Sequence, residues 1–189
     1  VVAGRVAEAP TRRAVYHQHN VGRGGTVAEG FRLANGRVVG YLDIDLEVHC
    51  RYVPAALAAI DAGADGATAY REYDLRWSPH ALLRTVLSRG YRWLFRRLFA
   101  VPFRDPEAGF KWFVRERILP VVADTRDVGW FWDSEILVLA HRAGLRIDEV
   151  PVRFERRADK QSTVRVVRDV WRYLTAIRAF RRRLRDQPR

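Results

Sequence analysis

The sequence contains no methionine, one cysteine and no long apolar run. The single cysteine, Cys50, excludes an internal disulfide and a metal site built from several cysteines. Its apolar stretches fall well short of the roughly 18 to 20 residues that a membrane-spanning helix requires, so we expect no such helix. Because the chain begins at Val1 and no signal peptide opens it, we interpret it as a fragment whose start lies elsewhere.

Lysine is also scarce, because Lys111 and Lys160 are the only lysines among 34 basic residues. Against 22 acidic residues this leaves a formal charge of +12. Between Thr163 and Arg189, nine arginines face two aspartates, a net charge of +7 (9 − 2). The excess of positive charge has two possible explanations. One is an arginine-rich codon bias, and the other is an anionic partner near this end of the chain, which would be membrane head groups or nucleic acid.

The composition is that of a folded domain. With 189 residues, 48% of them hydrophobic and 12% aromatic, the chain can build one domain with a hydrophobic core. Strand-like and helix-like segments alternate, which predicts an α/β fold. We predict strands at 14–18, 38–42, 64–69, 111–114 and 146–154, helices at 24–34, 53–62, 79–101, 133–143 and 163–185, and a loop at 71–77.

Two carboxylates follow the second predicted strand directly. Asp43 and Asp45 come after the continuous apolar run 38–42, which predicts a buried parallel strand. In open α/β sheets ligands bind beyond the carboxyl ends of such strands. Carboxylates suit magnesium or manganese, which keep some waters and bridge to substrate phosphates. The pattern therefore indicates a metal–diphosphate site, although a solvated turn or a helix cap has the same spacing.

Other segments have two interpretations each. The glycine-rich turn 20–25 leads into a helix, and either holds an anion on free amides or is only a turn. The segments 105–111 and 129–135 place acids beside aromatic residues, in predicted loops. Either a sugar ring packs against the aromatic residues, or the aromatic residues belong to the core and the acids cap helices. The final helix has an apolar stripe with arginines elsewhere, which suits an anionic membrane surface or packing on the domain.

Six segments in this order resemble the family-2 glycosyltransferases, especially the dolichol-phosphate mannosyltransferase-like branch. They are NVGRGGTVAEGFRLANG (20–36), YLDIDLE (41–47), TAYRE (68–72), DPEAGFKWF (105–113), GWFWDSEIL (129–137) and EVPVRFERRADKQST (149–163). The resemblance covers residues 15 to 180. Any one segment is weak evidence, whereas six in register favour the functional interpretation of each.

The resemblance implies an α/β GT-A fold, Rossmann-like, with a mixed and mostly parallel sheet flanked by helices and a C-terminal amphipathic helix. We expect residues 1–160 to form the catalytic domain, lacking its N-terminal nucleotide-binding strand, and 161–189 to form the basic helix. It also implies transfer with inversion from a GDP- or UDP-linked sugar to a polyprenyl (dolichyl-type) phosphate, assisted by Mg or Mn.

The resemblance implies roles for individual residues. The metal ligands would be Asp43, Asp45 and Glu47, the last standing where the branch often has glutamine. Donor and phosphate groups would be bound by Arg23, Asp43, Arg71 and Arg84, with Asp105 and Glu135 as the catalytic acids near sugar and acceptor. The acceptor side would use Arg156, Arg157 and Ser162, although 158–161 replaces the glycine-containing link usual in the family.

The sequence also departs from the family's pattern in ways that bear on function. The Gln-x-x-Arg-Trp motif of processive synthases is absent, which favours a single transfer over polymerisation. We expect a peripheral protein on the cytoplasmic, inner face of the cell membrane and no nucleic-acid partner. The alternatives are a basic, non-enzymatic module that binds nucleic acid or a membrane surface, and an inactive transferase fragment.

Overall fold

The computed structural model describes residues 11–72, 90–153 and 166–186, with side chains from residue 171 onward in the last range. Within these ranges the predicted helices and strands, apart from the strand at 14–18, are found with changes of boundary, and the 79–89 part of the predicted helix 79–101 lies outside the described residues. The described elements are α1 (Arg23–Leu33), β1 (Val38–Leu42), α2 (Val53–Asp61), β2 (Gly66–Glu72), α3 (90–99), β3 (Phe110–Val114), α4 (Arg115–Asp124), α5 (Trp132–Arg142), β4 (Ile147–Arg153) and α6 (Val166–Asp186).

The strands form one mixed sheet in the order β1-β3-β2-β4. β3 runs antiparallel to both of its neighbours, β1 and β2, whereas β2 and β4 are parallel. Three of the four described strands therefore share one direction. A mixed sheet flanked by helices is the predicted architecture, and this prediction is confirmed, although two of the three described strand pairings are antiparallel.

Helices cover both faces of this sheet. On one face Phe31 of α1, Phe113 of β3 and Ile136 of α5 belong to the larger core, to which α3 and α4 also contribute. On the other face Ala56 of α2 packs with Phe110 in a smaller core. The alternation of Phe110 and Phe113 between the two cores follows from side chains pointing to opposite faces along a strand.

Helix α6 contributes to the larger core. Ile177 and Phe180 are buried there, and Tyr173 packs against its edge. Trp171 and Leu174, in contrast, are 65% and 45% exposed. One side of the predicted amphipathic helix thus packs on the domain. This is one of the two interpretations of its apolar stripe, the other being contact with an anionic membrane surface. Among the described helices, none combines the length and the apolar character that crossing a membrane demands.

Several local predictions are wrong. Residues 14–18 form no strand. Strand β1 is not a buried parallel strand, because it pairs antiparallel with β3 and only Val39 in it is buried. Strand β2 continues through Arg71 and Glu72, which were predicted as loop.

Helix α4 was not predicted at all, although Ile118, Val121 and Val122 have helical spacing, because Pro120 interrupts the pattern.

Candidate active site

A tight turn after β1 carries the two predicted metal ligands. Its backbone closes through a hydrogen bond from Leu46 N–H to the carbonyl of Asp43 at 3.0 Å, and Leu46 has a left-handed φ of 55°. Asp45 Oδ1 accepts a hydrogen bond from the Glu47 amide at 3.2 Å, a local contact that stabilises such turns. Asp43 is joined to the neighbouring segment by its own amide, which donates to the Gly109 carbonyl at 3.0 Å.

Arg23 connects this turn to the start of α5. Its Nη2 lies 2.5 Å and its Nε 3.1 Å from Asp43 Oδ1, and its Nη1 donates to Asp133 Oδ2. The guanidinium also lies over the Trp130 ring, 5.2 Å from the centroid. One arginine at the first position of α1 therefore links three of the motif segments.

Asp133 is a buried carboxylate with three polar neighbours. Its side chain is 2% exposed, and it accepts from Arg23 and from the Tyr41 hydroxyl. Lys111 Nζ lies 3.6 Å from Asp133 Oδ1 and donates to the carbonyls of Pro106 at 3.1 Å and Ala108 at 2.5 Å. Burial lowers the pKa of Lys111, and Asp133 opposes this effect.

Asp105 is held by arginines from two elements. Its carboxylate is 1% exposed and accepts from Arg71 Nε at 2.6 Å and Arg71 Nη2 at 2.8 Å, a bidentate pair. Arg92 Nη2 lies 3.4 Å away. This arrangement fixes the start of the 105–109 segment against β2 and α3.

Glu135 lies in the first turn of α5 and is 2% exposed. Its two oxygens accept hydrogen bonds from the amides of Arg126 at 3.0 and 3.1 Å and of Asp127 at 2.8 Å. Arg183 Nη1 lies 2.9 Å from Oε1. Burial raises the pKa of Glu135, while the two backbone amides and Arg183 act in the opposite direction.

A hydrogen-bonded group connects α6 with the other side of the site. The Tyr173 hydroxyl lies 2.7 Å from both Ser134 Oγ and the Tyr91 hydroxyl. Glu107 also forms a side-chain hydrogen bond with Tyr173, and burial raises the pKa of Glu107 although Arg71 opposes it. Helix α6 thereby contacts both the 105–109 segment and α5.

Three amides of the glycine-rich turn are engaged within the protein. Gly24 and Gly25 donate to the Val128 carbonyl at 2.9 and 3.3 Å, and Gly22 donates to Asn20 Oδ1 at 2.8 Å. A Cβ at Gly24 would lie 2.4 Å from Trp132 Cβ. The glycines therefore allow α1 to approach α5 closely, which supports the turn interpretation.

The structure brings together four of the six motif segments around Arg23 and Asp43. Within the described residues no three His, Cys, Asp or Glu side chains converge as a preformed metal site, so Glu47 does not complete a cluster with Asp43 and Asp45. Asp133 and Glu135 lie in the first turn of α5, within the predicted helix 133–143, and both are buried. Arg84, Arg156, Arg157 and Ser162 lie outside the described residues.

Sequence reasoning missed Asp133, Lys111, Tyr41, Glu107 and Tyr173 as members of this network. The first four lie inside the quoted motifs, so their position was a usable signal. Tyr173 lies about 40 residues away from Ser134 along the chain, and only the packing of α6 brings the two together.

The fold is that of GT-A glycosyltransferases with solved structures. Glucosyl-3-phosphoglycerate synthase from Mycobacterium tuberculosis, in complex with UDP, superposes with a TM-score of 0.60 over 97% of this chain and 59% of that one, at 16% identity. Its complex with Mn²⁺ and UDP-glucose gives 0.58 over 91% of this chain and 57% of that one, at 17% identity. At such low identity the likeness concerns the fold alone.

The family model of glycosyl transferase family 2 matches residues 2–113, and the chain belongs to this family. Glycosyltransferase AglD from Haloferax volcanii is 36% identical over 171 residues, which are 89% of this chain and 27% of the relative. Dolichyl-phosphate beta-glucosyltransferase from Saccharomyces cerevisiae is 27% identical over 154 residues, 74% of this chain and 46% of the relative. The chain therefore spans less than half the length of both curated relatives.

Proposed function

We propose that this chain is the catalytic part of an inverting glycosyltransferase that moves a sugar from a nucleotide-sugar donor to a polyprenyl phosphate of the dolichyl type. The observation that carries the proposal is the convergence of the family's segments on Asp43, through Arg23, Gly109 and Asp133. Family membership and the dolichyl-phosphate relative support the reaction class and the acceptor. The donor nucleotide, UDP or GDP, is the finer part of the proposal.

The carboxylates of the turn after β1 fit one divalent ion, Mg²⁺ or Mn²⁺. Two carboxylates on one turn, Asp43 and Asp45, match an ion that takes one or two protein carboxylates and completes its shell with water and substrate phosphates. When bound, the ion would neutralise the negative charge that develops on the departing nucleotide diphosphate. Arg23 compensates the charge of Asp43 and orients its carboxylate by two N–H groups.

A phosphate acceptor reduces the need for a strong general base. Such an acceptor is already ionised near neutral pH, unlike a sugar hydroxyl. The buried carboxylates of the site agree with this, since Asp105 is occupied by Arg71 and Asp133 by Arg23 and Tyr41. Electrostatic positioning of the phosphates by arginines would then contribute most of the catalysis. Arg71, Arg84, Arg156 and Arg157 remain the predicted phosphate ligands.

The proposal places the protein on the cytoplasmic, inner face of the cell membrane, where a lipid-linked acceptor would be reached. Support comes from α6, which exposes Trp171 and Leu174 together with several arginines. An interfacial helix of this kind buries its apolar side chains among lipid head groups and attracts anionic lipids through its basic ones. The anionic membrane surface is the partner that this composition fits.

The test uses the full-length protein, a polyprenyl phosphate, manganese, and UDP-glucose or GDP-mannose with a radiolabelled sugar. We expect Asp45→Ala to fold normally and to lose transfer by about two to three orders of magnitude, as expected when charge stabilisation at the departing group is removed. Asp61→Ala is the matched control, because Asp61 pairs with Arg37 at the exposed end of α2. Unchanged turnover of Asp45→Ala in excess manganese would contradict the proposal.

A further inference from the structure

The carboxylate of Glu135 is occupied by contacts that hold a loop. The loop 125–131 joins α4 to α5, and Glu135 accepts the amides of Arg126 and Asp127 at its start. Asp127 Oδ1 in turn accepts from the Gly129 amide at 2.7 Å. With Arg183 on Oε1, both oxygens of Glu135 have partners within the protein. A group in this state is built to hold backbone rather than to exchange protons with a substrate.

The 125–131 loop holds the residue that organises the site. Val128 accepts the amides of Gly24 and Gly25 through its carbonyl, which fixes the N-terminus of α1. Trp130 packs over the guanidinium of Arg23 at 5.2 Å. Arg23 is the first residue of α1 and reaches Asp43 and Asp133. A shift of the loop would therefore move Arg23 relative to both carboxylates.

We propose that Glu135 is a positioning residue, held by Arg183 of the C-terminal helix, which fixes the 125–131 loop and through it Arg23 and Asp43. This inference rests on the proposed function, since Arg23 and Asp43 are there assigned to the donor site. It makes α6 a structural part of that site in addition to its exposed face. Glu135 then affects donor binding without contacting the reacting atoms.

The opposite charges of Glu135 and Arg183 determine which variants can test this role without unfolding the protein. Removing one member leaves the other buried and uncompensated, which is strongly destabilising, whereas removing both is tolerated. Within the described residues, Nε and Nη2 of Arg183 are buried without a hydrogen-bond partner. Besides the contact with Glu135, Arg183→Met therefore loses chiefly the packing of the guanidinium over the Phe180 ring, 4.9 Å from its centroid. The double variant Glu135→Gln with Arg183→Met keeps an oxygen that can still accept one of the loop amides.

The experiment compares Glu135→Gln, Arg183→Met and their combination in the full-length enzyme. Two readouts are used: the KM for the nucleotide-sugar against kcat, and hydrogen exchange of peptides covering 22–27 and 125–131. We expect each single variant to raise hydrogen exchange in both peptides. The KM for the nucleotide-sugar should rise about tenfold with a smaller change in kcat, because the binding groups are displaced from a distance. The matched control is Arg182→Met, which removes an exposed charge from the same helix.

The double variant decides between positioning and direct participation. If Glu135 acts through the loop, the combined loss is smaller than the product of the two single losses, because both variants break one connection. Lost kcat with unchanged exchange, or strictly multiplicative losses, would overturn the inference in favour of a catalytic Glu135. Should the parent transfer no sugar, the proposed function fails, whereas unaltered exchange in Glu135→Gln and Arg183→Met refutes the positioning role separately.

Discussion

A side-chain carbon at Gly109 would lie 1.7 Å from Oδ2 and 2.2 Å from Cγ of Asp43. The carboxylate of Asp43 therefore occupies the space that any other residue at position 109 would fill. The Gly109 carbonyl also accepts the Asp43 amide at 3.0 Å. The 105–113 motif thus contains a glycine because the aspartate of the 41–47 motif packs directly against its backbone.

The substitution Gly109→Ala should displace the Asp43 carboxylate and weaken its contact with Arg23. We expect sugar transfer to fall about 100-fold, the loss that a misplacement of about 1 Å can cause. Overpacking should also lower the free energy of unfolding by about 1 to 3 kcal/mol. Steady-state kinetics and urea unfolding measure the two effects.

Gly30→Ala is the control for this experiment. Gly30 lies within α1 and a Cβ there meets nothing within 4 Å. Alanine in a helix interior is preferred over glycine, so this variant should gain about 0.5 to 1 kcal/mol and keep its activity. Full activity in Gly109→Ala would show that the position of Asp43 is not critical.

Replacing Asp133 by asparagine should destabilise the fold. The change removes the negative charge that compensates Arg23 and Lys111, of which Lys111 is completely buried. Breaking a buried pair from one side costs about 3 kcal/mol or more, which urea unfolding can measure.

The same substitution in an exposed pair provides the comparison for Asp133. Asp61 and Arg37 are 64% and 68% exposed with a 2.7 Å contact, so Asp61→Asn should cost less than about 1 kcal/mol. Equal losses in the two variants would mean that Asp133 contributes no more than a surface charge.

Stability should depend on pH through Glu107. Burial raises its pKa above the ordinary value of 4.5, so the folded state binds the proton more tightly than the unfolded state. Its contribution to the free energy of unfolding is therefore present below pH 4.5 and is lost as the pH rises through the folded pKa. Relative to the parent, Glu107→Gln should gain stability as the pH rises from 4.5 to 7.

Thermal or urea unfolding at several pH values measures this difference. Glutamine can still accept the hydrogen bond from Tyr173, so the packing of α6 is preserved. Glu116→Gln changes an exposed glutamate in the first turn of α4 and serves as the control. A parallel pH profile for parent and Glu107→Gln would argue against a raised pKa.

The exposed face of α6 can be tested on lipid vesicles. We expect Trp171→Ser with Leu174→Ser to weaken binding to phosphatidylglycerol vesicles about tenfold, which corresponds to roughly 1.4 kcal/mol of lost apolar burial. Ala179→Ser, at another exposed position of the same helix, should bind like the parent. Co-sedimentation with phosphatidylglycerol and with phosphatidylcholine measures the effect, and equal binding of all variants to both lipids would contradict a membrane role for this face.

Short-range patterns in the sequence, apolar runs and helical periodicity, predicted most of the secondary structure. The apolar run before Asp43 and the periodicity of 133–143 were sufficient to predict β1 and α5, because each depends on neighbouring residues. The direction of β3 was not predictable in this way. Its register with β1 and β2 depends on residues from three distant segments, and a strand's own pattern does not specify the direction of its partner.

The sequence by itself determined the family, the alternating α/β order and the acidic turn, because these depend on residue types at short spacing. Only the tertiary structure decided which charges meet. It paired Arg71 with Asp105 and Arg23 with Asp43 and Asp133, and it occupied Glu135 with loop amides and Arg183. Contacts between residues far apart in the chain follow from how helices pack on the sheet, and burial then makes each such pairing strong.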